Sequence, residues 1–230
     1  MASSTAARSR QLQNSLNSDD AAALRAAELA AWARRNAKVI LTVAGIVAVL
    51  AIGYVYYRMD RARRHEAAAT QFLALSQNPT VATAAGAGQV EQFIKRHDGT
   101  TEADQARLLL AEIRMNAGQP GEAVKVLQPM SQKSGALSAQ GAMMLGSAQA
   151  QAGNRAAAIT AYNRAAELAA LPYQRVEALG QAALMHEQSG DFKGAAAIYT
   201  RLLADAEEGS PQATVLQMRL AEVQARAGGR

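Results

Sequence analysis

Three stretches of this sequence share one pattern: MNAGQPGEAVKVL at residues 115–127, AQAGNRAAAITAY at 150–162 and EQSGDFKGAAAIY at 187–199. Each carries a glycine, and successive glycines lie 35 and 37 residues apart. An alanine follows five residues after each glycine, and a larger apolar residue follows nine residues after it. The positions are Gly118, Ala123 and Leu127; Gly153, Ala158 and Tyr162; and Gly190, Ala195 and Tyr199. A period of this length predicts a repeat protein.

The chemistry of each position predicts a helical hairpin. A helix that ends in a tight turn needs a residue that tolerates positive φ, which is the property of glycine. The alanine lets the second helix approach the first closely, and the larger residue fills the space against the next repeat. A unit of ~34 residues with these features resembles the tetratricopeptide repeat. The alternative is an α-hairpin bundle of another kind.

The repeats are degenerate in their first helix. Its usual glycine is present in one repeat and replaced by alanine in the others, in the order Ala111, Gly146, Ala183 and Ala221. The usual tryptophan is replaced throughout, by Arg107, Ala142, Leu179 and Gln217. We expect residues 65–97 to form one further, still more degenerate helical pair, and the chain to finish with a terminal half repeat.

A run of nineteen uncharged residues, 39–57, precedes the repeats. As a helix it would be roughly 28 Å long, close to the ~30 Å hydrocarbon core of a bilayer. A soluble core helix is usually amphipathic, and a secretory signal has a shorter apolar region with a cleavage site. Aromatic side chains typical of a membrane interface lie at its two ends, at Trp32, Tyr54, Tyr56 and Tyr57. We therefore predict an uncleaved membrane helix.

The predicted fold class is all-α, a transmembrane helix followed by an α-solenoid of tetratricopeptide-like hairpins. The predicted parts are a disordered tail (1–18), a juxtamembrane helix (19–38), the transmembrane helix (39–57) and the repeat domain (58–230). The tail has no acidic residue, and its composition also fits a transit peptide. Helical sequence continues beyond the membrane span until Asn78-Pro79, where we expect it to stop.

Charge separates the two halves of the chain. The net charge is +5, but residues 1–64 hold 10 Lys+Arg against 4 Asp+Glu, and residues 65–230 hold 14 against 15. The basic segment flanks the predicted span, so we expect attraction to anionic lipid head groups and no nucleic-acid partner. Four cations flank the span on either side, and only the more distant Arg8 and Arg10 add to the N-terminal count, so the charges give a weak preference for a cytoplasmic N-terminus. The chain contains no cysteine, which excludes disulfides, thiolate metal sites and cysteine nucleophiles.

No catalytic motif is found in the sequence. The histidines are His65, His97 and His186, and His186-Glu187 is not followed by a second histidine at the HExxH spacing. The glycine-rich stretches lack the Walker lysine, and there is no GxSxG. We expect no enzymatic activity, no cofactor, no metal and no small-molecule substrate.

The whole arrangement resembles one family of bacterial inner-membrane proteins, the ancillary SecYEG translocon subunits. The stretches that carry the resemblance are ELAAWARRNAKVILTVAGIVAVLAIGYVYYR and FIKRHDGTTEADQARLLLAE, within roughly residues 28 to 226. The resemblance implies a single-pass inner-membrane protein with a cytoplasmic N-terminus and a periplasmic repeat domain. It further implies protein partners: translocon subunits, exported proteins or periplasmic chaperones.

In tetratricopeptide domains the first helix of each repeat lines a concave groove. The groove positions predicted from the glycine register are Gln105, Leu108, Glu112, Met115, Asn116, Gln140, Met143, Ser147, Gln151, Glu177, Leu184, Glu187, Gln188, Met218 and Glu222. This amide-rich, methionine-bearing, mildly acidic set predicts weak binding of varied, preferably basic protein segments. The alternative is that the methionines are ordinary core residues.

Two functions remain open. The first is a membrane-anchored scaffold that assists protein export. The second is a membrane-tethered regulatory module that acts on a cytosolic partner through residues 1–38.

Overall fold

The structure is a computed structural model and describes residues 30–135 and 137–229. Within these residues every regular element is helical, which confirms the all-α prediction. The predicted tail at residues 1–18 and most of the predicted juxtamembrane helix lie outside the described residues. The chain divides into two compact units, Met1–Ala62 and Arg63–Arg230.

The first long helix, α1, spans Ala37–Ser76. It contains the predicted span and is the one helix in the described part of the chain that is long and apolar enough to cross a membrane, with a mean hydropathy of 2.4 in its most apolar window. Thr42, the one polar side chain early in the run, donates its hydroxyl to the Lys38 carbonyl at 2.8 Å. The helix ends at Ser76, so the predicted stop at Asn78-Pro79 is confirmed.

The repeat domain continues as paired helices joined by short turns. Their bounds are α2 Ala87–Arg96, α3 Thr101–Asn116, α4 Pro120–Leu127, α5 Ser138–Gln151, α6 Arg155–Leu168, α7 Pro172–Gln188, α8 Phe192–Ala204 and α9 Pro211–Gly228, with single 3-10 turns at Ala84–Gly86 and Gln128–Met130. Proline occupies the first position of α4, α7 and α9, where its missing N–H would have had no helical partner. From α2 onward, each helix packs mainly against its neighbours in sequence, as expected of stacked hairpins.

The three aligned glycines make the turns inside the hairpins. Gly118, Gly153 and Gly190 have φ of +70°, +82° and +74°, in the left-handed region that side chains avoid. Each donates its N–H to a carbonyl of the helix just ended, for example Gly153 to Ala150 at 3.0 Å. The predicted role of these glycines is confirmed.

The aligned alanines and larger residues form the core between the helices. Ala123, Ala158 and Ala195 are completely buried, and Leu127, Tyr162 and Tyr199 are also buried, as predicted. The closest fit is in the middle repeat: a Cβ added to Gly146 of α5 would lie only 2.5 Å from a ring carbon of Tyr162 on α6. This close approach accounts for the glycine in α5, although the third repeat accommodates Ala183 together with Tyr199, so a tyrosine alone does not require it.

The end of α1 and α2 form the further helical pair predicted at residues 65–97. Ala68 of α1 and Val90 of α2 are fully buried in one cluster. The rings of Phe72 and Phe93 lie with their centres 5.6 Å apart across the pair. His65 Nδ1, one turn before this cluster, lies 3.4 Å from Glu102 Oε2 of α3.

A buried arginine replaces the tryptophan of the first aligned repeat. Arg107 donates to Asp98 at 2.5 Å and to Asp104 at 2.7 Å, and Lys133 donates to Asp104 at 2.7 Å. The hydrogen bond from Arg107 holds the pKa of Asp98 below its usual value of 3.8. These bonds tie the α2–α3 turn and the loop after α4 to α3.

Candidate functional site

A cavity of about 560 Å³ opens between the first helices of successive repeats, α3, α5 and α7. It brings together five residues of the predicted groove: Met115, Gln140, Met143, Ser147 and Glu177. α3 contributes the first of them, α5 the next three and α7 the last. The spacing within α5 places its three residues on one face, because residues three and four apart in a helix lie above one another.

The wall of the cavity also contains side chains that the sequence reasoning missed: Met144, Tyr173, Gln174 and Gln181. Tyr173 follows Pro172, the first residue of α7, and its side chain is 64% exposed. Tyr173, Glu177 and Gln181 follow one another at intervals of four, a spacing that marks a single helical face. That spacing was visible in the sequence and could have identified the two neighbours of Glu177.

The chemistry of the cavity combines thioethers, amides and one carboxylate. Three methionines, Met115, Met143 and Met144, provide flexible apolar surface. Among the described residues that line it, only Glu177 is charged, and no hydrogen bond or ion pair joins its carboxylate to another described residue. Ser147 Oγ lies 3.2 Å from the hydroxyl of Tyr162, so it is already engaged at the floor. The arrangement can hold a side chain with an apolar stem and a positive end.

The methionines of the predicted groove differ in how far they are buried. Met115 and Met143 are half-buried and pack against the core while also lining the cavity. Met218 on α9 is 61% exposed, so it is not a core residue.

The other predicted groove residues do not line this cavity. Leu108 is 7% exposed and belongs to the core beneath α3. Glu187 accepts a hydrogen bond from the Tyr199 hydroxyl at 2.5 Å, and Glu222 pairs with Arg226 at 2.7 Å. The remaining positions are exposed elsewhere on the first helices: Gln105, Glu112, Asn116, Gln151, Leu184 and Gln188. Partner contact at any of these residues stays a prediction.

Burial and the adjacent Glu187 carboxylate raise the pKa of Tyr199 well above its usual value of 10.0. The hydroxyl is therefore a hydrogen-bond donor at any physiological pH. Reversing the charge of Glu187 would break this core contact, so Glu177 is the better residue with which to test the groove.

Histidine side chains in the repeat domain form hydrogen bonds with side chains of neighbouring elements. His97 Nε2 lies 2.9 Å from Gln71 Oε1, and His186 Nδ1 lies 2.7 Å from Asp191 Oδ2. Asp191 also accepts the Gly194 N–H, which with His186 lowers the pKa of its carboxyl. Within residues 30–135 and 137–229, no three side chains of His, Asp or Glu are grouped as metal ligands.

Comparison with known families agrees with the repeat architecture. Residues 30–167 match the family model described as a tetratricopeptide repeat-like domain, and residues 178–212 match the tetratricopeptide repeat itself. The first match covers more than half of the 230 residues. No curated protein matches the chain. The second match begins in α7 and ends in α9, the segment that carries the third aligned glycine.

Proposed function

We propose that this chain, which belongs to the tetratricopeptide repeat-like domain family, is a membrane-anchored scaffold whose cavity between α3, α5 and α7 receives segments of partner proteins. The observation that carries the proposal is the convergence of adaptable apolar, amide and carboxylate side chains in an open cavity of about 560 Å³. Domains of this family mediate protein–protein interactions, and no catalytic role is proposed for any residue.

The exposure of α1 supports the membrane anchor. Leu41, Ile46 and Val47, which lie on three different sides of the helix, are 71%, 56% and 58% exposed. In water such a surface would be a large unpartnered apolar patch, whereas in a bilayer it faces hydrocarbon. Trp32 and Tyr56, near the two ends of the apolar run, are also exposed, as interface aromatics require.

The resemblance to the ancillary translocon subunits supplies the finer part of the proposal. We place the N-terminus in the cytoplasm and the repeat domain in the periplasm of a bacterial cell. The partners would be translocon subunits, exported proteins or periplasmic chaperones. The weak excess of cations at the N-terminal side is consistent with this orientation.

The groove is tested by photo-crosslinking in intact cells. A photo-reactive residue at Met143, inside the cavity, should capture protein partners. The same residue at Thr160, exposed on the second helix α6, is the control and should capture few. Equal capture from both positions, or none from Met143, would refute the groove as the binding surface.

The orientation is tested by adding protease to spheroplasts of cells that make the full chain. Residues 65–230 should be digested without lysis. Protection that is lost only on lysis would place the domain in the cytoplasm.

Capture of partners solely through residues 1–38 would favour the regulatory alternative.

A further inference from the structure

A second cavity, of about 450 Å³, lies one repeat further along, between α7, α8 and α9. Its walls include Val176, Gly180, Leu202, Val215, Leu216 and Arg219. The described residues on its wall include no carboxylate, unlike those of the first cavity.

The two cavities are equivalent positions of the repeat. Leu202 stands 37 residues after Ala165, and Val215 stands 38 residues after Glu177, which are the offsets between the repeats concerned. Ala165 and Glu177 line the first cavity; Leu202 and Val215 line the second. One groove therefore presents two successive sites, in which the carboxylate of Glu177 in the first is replaced by the aliphatic side chain of Val215 in the second.

The first site suits a basic side chain. The Glu177 carboxylate is paired with no other described residue, and Tyr173 stands one helical turn before it with an exposed ring that a cation can approach. The thioethers of Met143 and Met144 can pack along the aliphatic stem of a lysine or arginine.

The second site suits an apolar side chain. Val176, Leu202 and Val215 line it with branched aliphatic groups, beside the amide of Gln212. Its cation, Arg219, lies 3.6 Å from Glu222 on its own helix, so its charge is already partly balanced.

We infer that the groove binds two side chains of one extended segment, a basic side chain in the first cavity and an aliphatic side chain in the second. Neighbouring helices lie ~8–10 Å apart, so sites shifted by one first helix are separated by about 10 Å. An extended chain covers ~3.3 Å per residue, which places the two side chains about three positions apart. This inference rests on the proposed function and specifies the segment that the groove binds.

The test uses the full chain in nanodiscs and fluorescent peptides of a serine-glycine background with blocked ends. One peptide carries lysine and leucine three positions apart. The comparison peptides move the leucine to the next position or replace the lysine by norleucine. Empty nanodiscs provide the blank. The lysine–leucine peptide should bind at least five-fold more tightly than either comparison peptide.

Two pairs of variants assign the two side chains. Glu177→Gln should lower the affinity for the lysine–leucine peptide about ten-fold and leave the affinity for the norleucine peptide unchanged. Glu208→Gln, in an exposed turn, should change neither affinity. Val215→Ser should weaken every peptide with leucine at the preferred position, whereas Ala225→Ser, exposed further along α9, should not.

Equal effects of Glu177→Gln and Glu208→Gln would overturn the inference, as would equal binding of all peptides or no binding at about 1 mM. Such a result alongside partner capture from Met143 would leave the proposed scaffold intact and remove only its two-site specificity. Loss of capture from Met143 would instead remove the proposed function itself.

Discussion

Replacing Gly146 by alanine tests the closest contact in the repeat domain. Two effects oppose each other in this change. Alanine is favoured over glycine inside a helix by about 1 kcal/mol. Against this, the new Cβ would lie 2.5 Å from a carbon of the Tyr162 ring, whereas carbon atoms pack best at about 3.5–4.0 Å. Because Tyr162 is buried and its hydroxyl contacts Ser147, the ring cannot move away freely.

A second glycine separates the two effects. Gly180 lies inside α7, and a Cβ added there would meet no atom within 4 Å. Gly180→Ala should therefore show only the helical gain, whereas Gly146→Ala should show the gain and the overpacking together. The difference between the two variants equals the overpacking cost, about 1–3 kcal/mol. A domain of this size shifts by roughly 2–4 °C per kcal/mol, so the difference in the unfolding midpoint should be about 2–12 °C.

The assay is thermal unfolding of the full chain in detergent, followed by circular dichroism at 222 nm. The expected order of midpoints is Gly180→Ala highest, the unchanged chain between, and Gly146→Ala lowest. Coincident midpoints for the two variants would show that α5 and α6 are not packed as closely as described, and the explanation for the glycine would be wrong.

Two further predictions concern the core and the ion pairs. Ala158→Leu, at a fully buried position, should lower the free energy of unfolding by about 1–3 kcal/mol, whereas Arg155→Leu, exposed on the same helix, should change it little; the reverse order in urea unfolding would contradict the repeat register. Because the pKa of Asp98 is lowered in the folded state, its pairing with Arg107 contributes stability above about pH 4, and that contribution falls as the pH drops further. The stability difference between the unchanged chain and Asp98→Asn should shrink on acidification below that pH, and a constant difference would refute the pairing.

Local chemistry explains which parts of the fold were predictable. The turn glycines and the buried alanines follow from backbone geometry and close packing, both of which are properties of single positions. The role of Arg107 was not predictable, because its burial depends on Asp98 and Asp104 converging on it from a turn and from its own helix. In the sequence, Arg107 at the usual tryptophan position indicated only that this repeat departs from the tetratricopeptide consensus.

The candidate groove was less predictable, for a related reason. Leu108 and Met115 lie seven residues apart on one helix, yet the first faces the core and the second reaches the cavity. The cavity is formed between repeats, so its wall depends on how α5 and α7 are set against each other. A register counted within each repeat cannot supply that relation, although the four-residue spacing that joins Tyr173 to Glu177 on α7 was visible in the sequence.

The dominance of contacts between consecutive helices has a kinetic consequence. Proteins with mainly local contacts close only short loops while folding, and such chains fold in microseconds to milliseconds. Synthesis adds only ~5–20 residues per second, so a hairpin such as α5–α6 has time to form before the next is complete. We expect the repeats to fold in the order in which they are synthesised. Little apolar surface should then stay exposed until a later part of the chain is made.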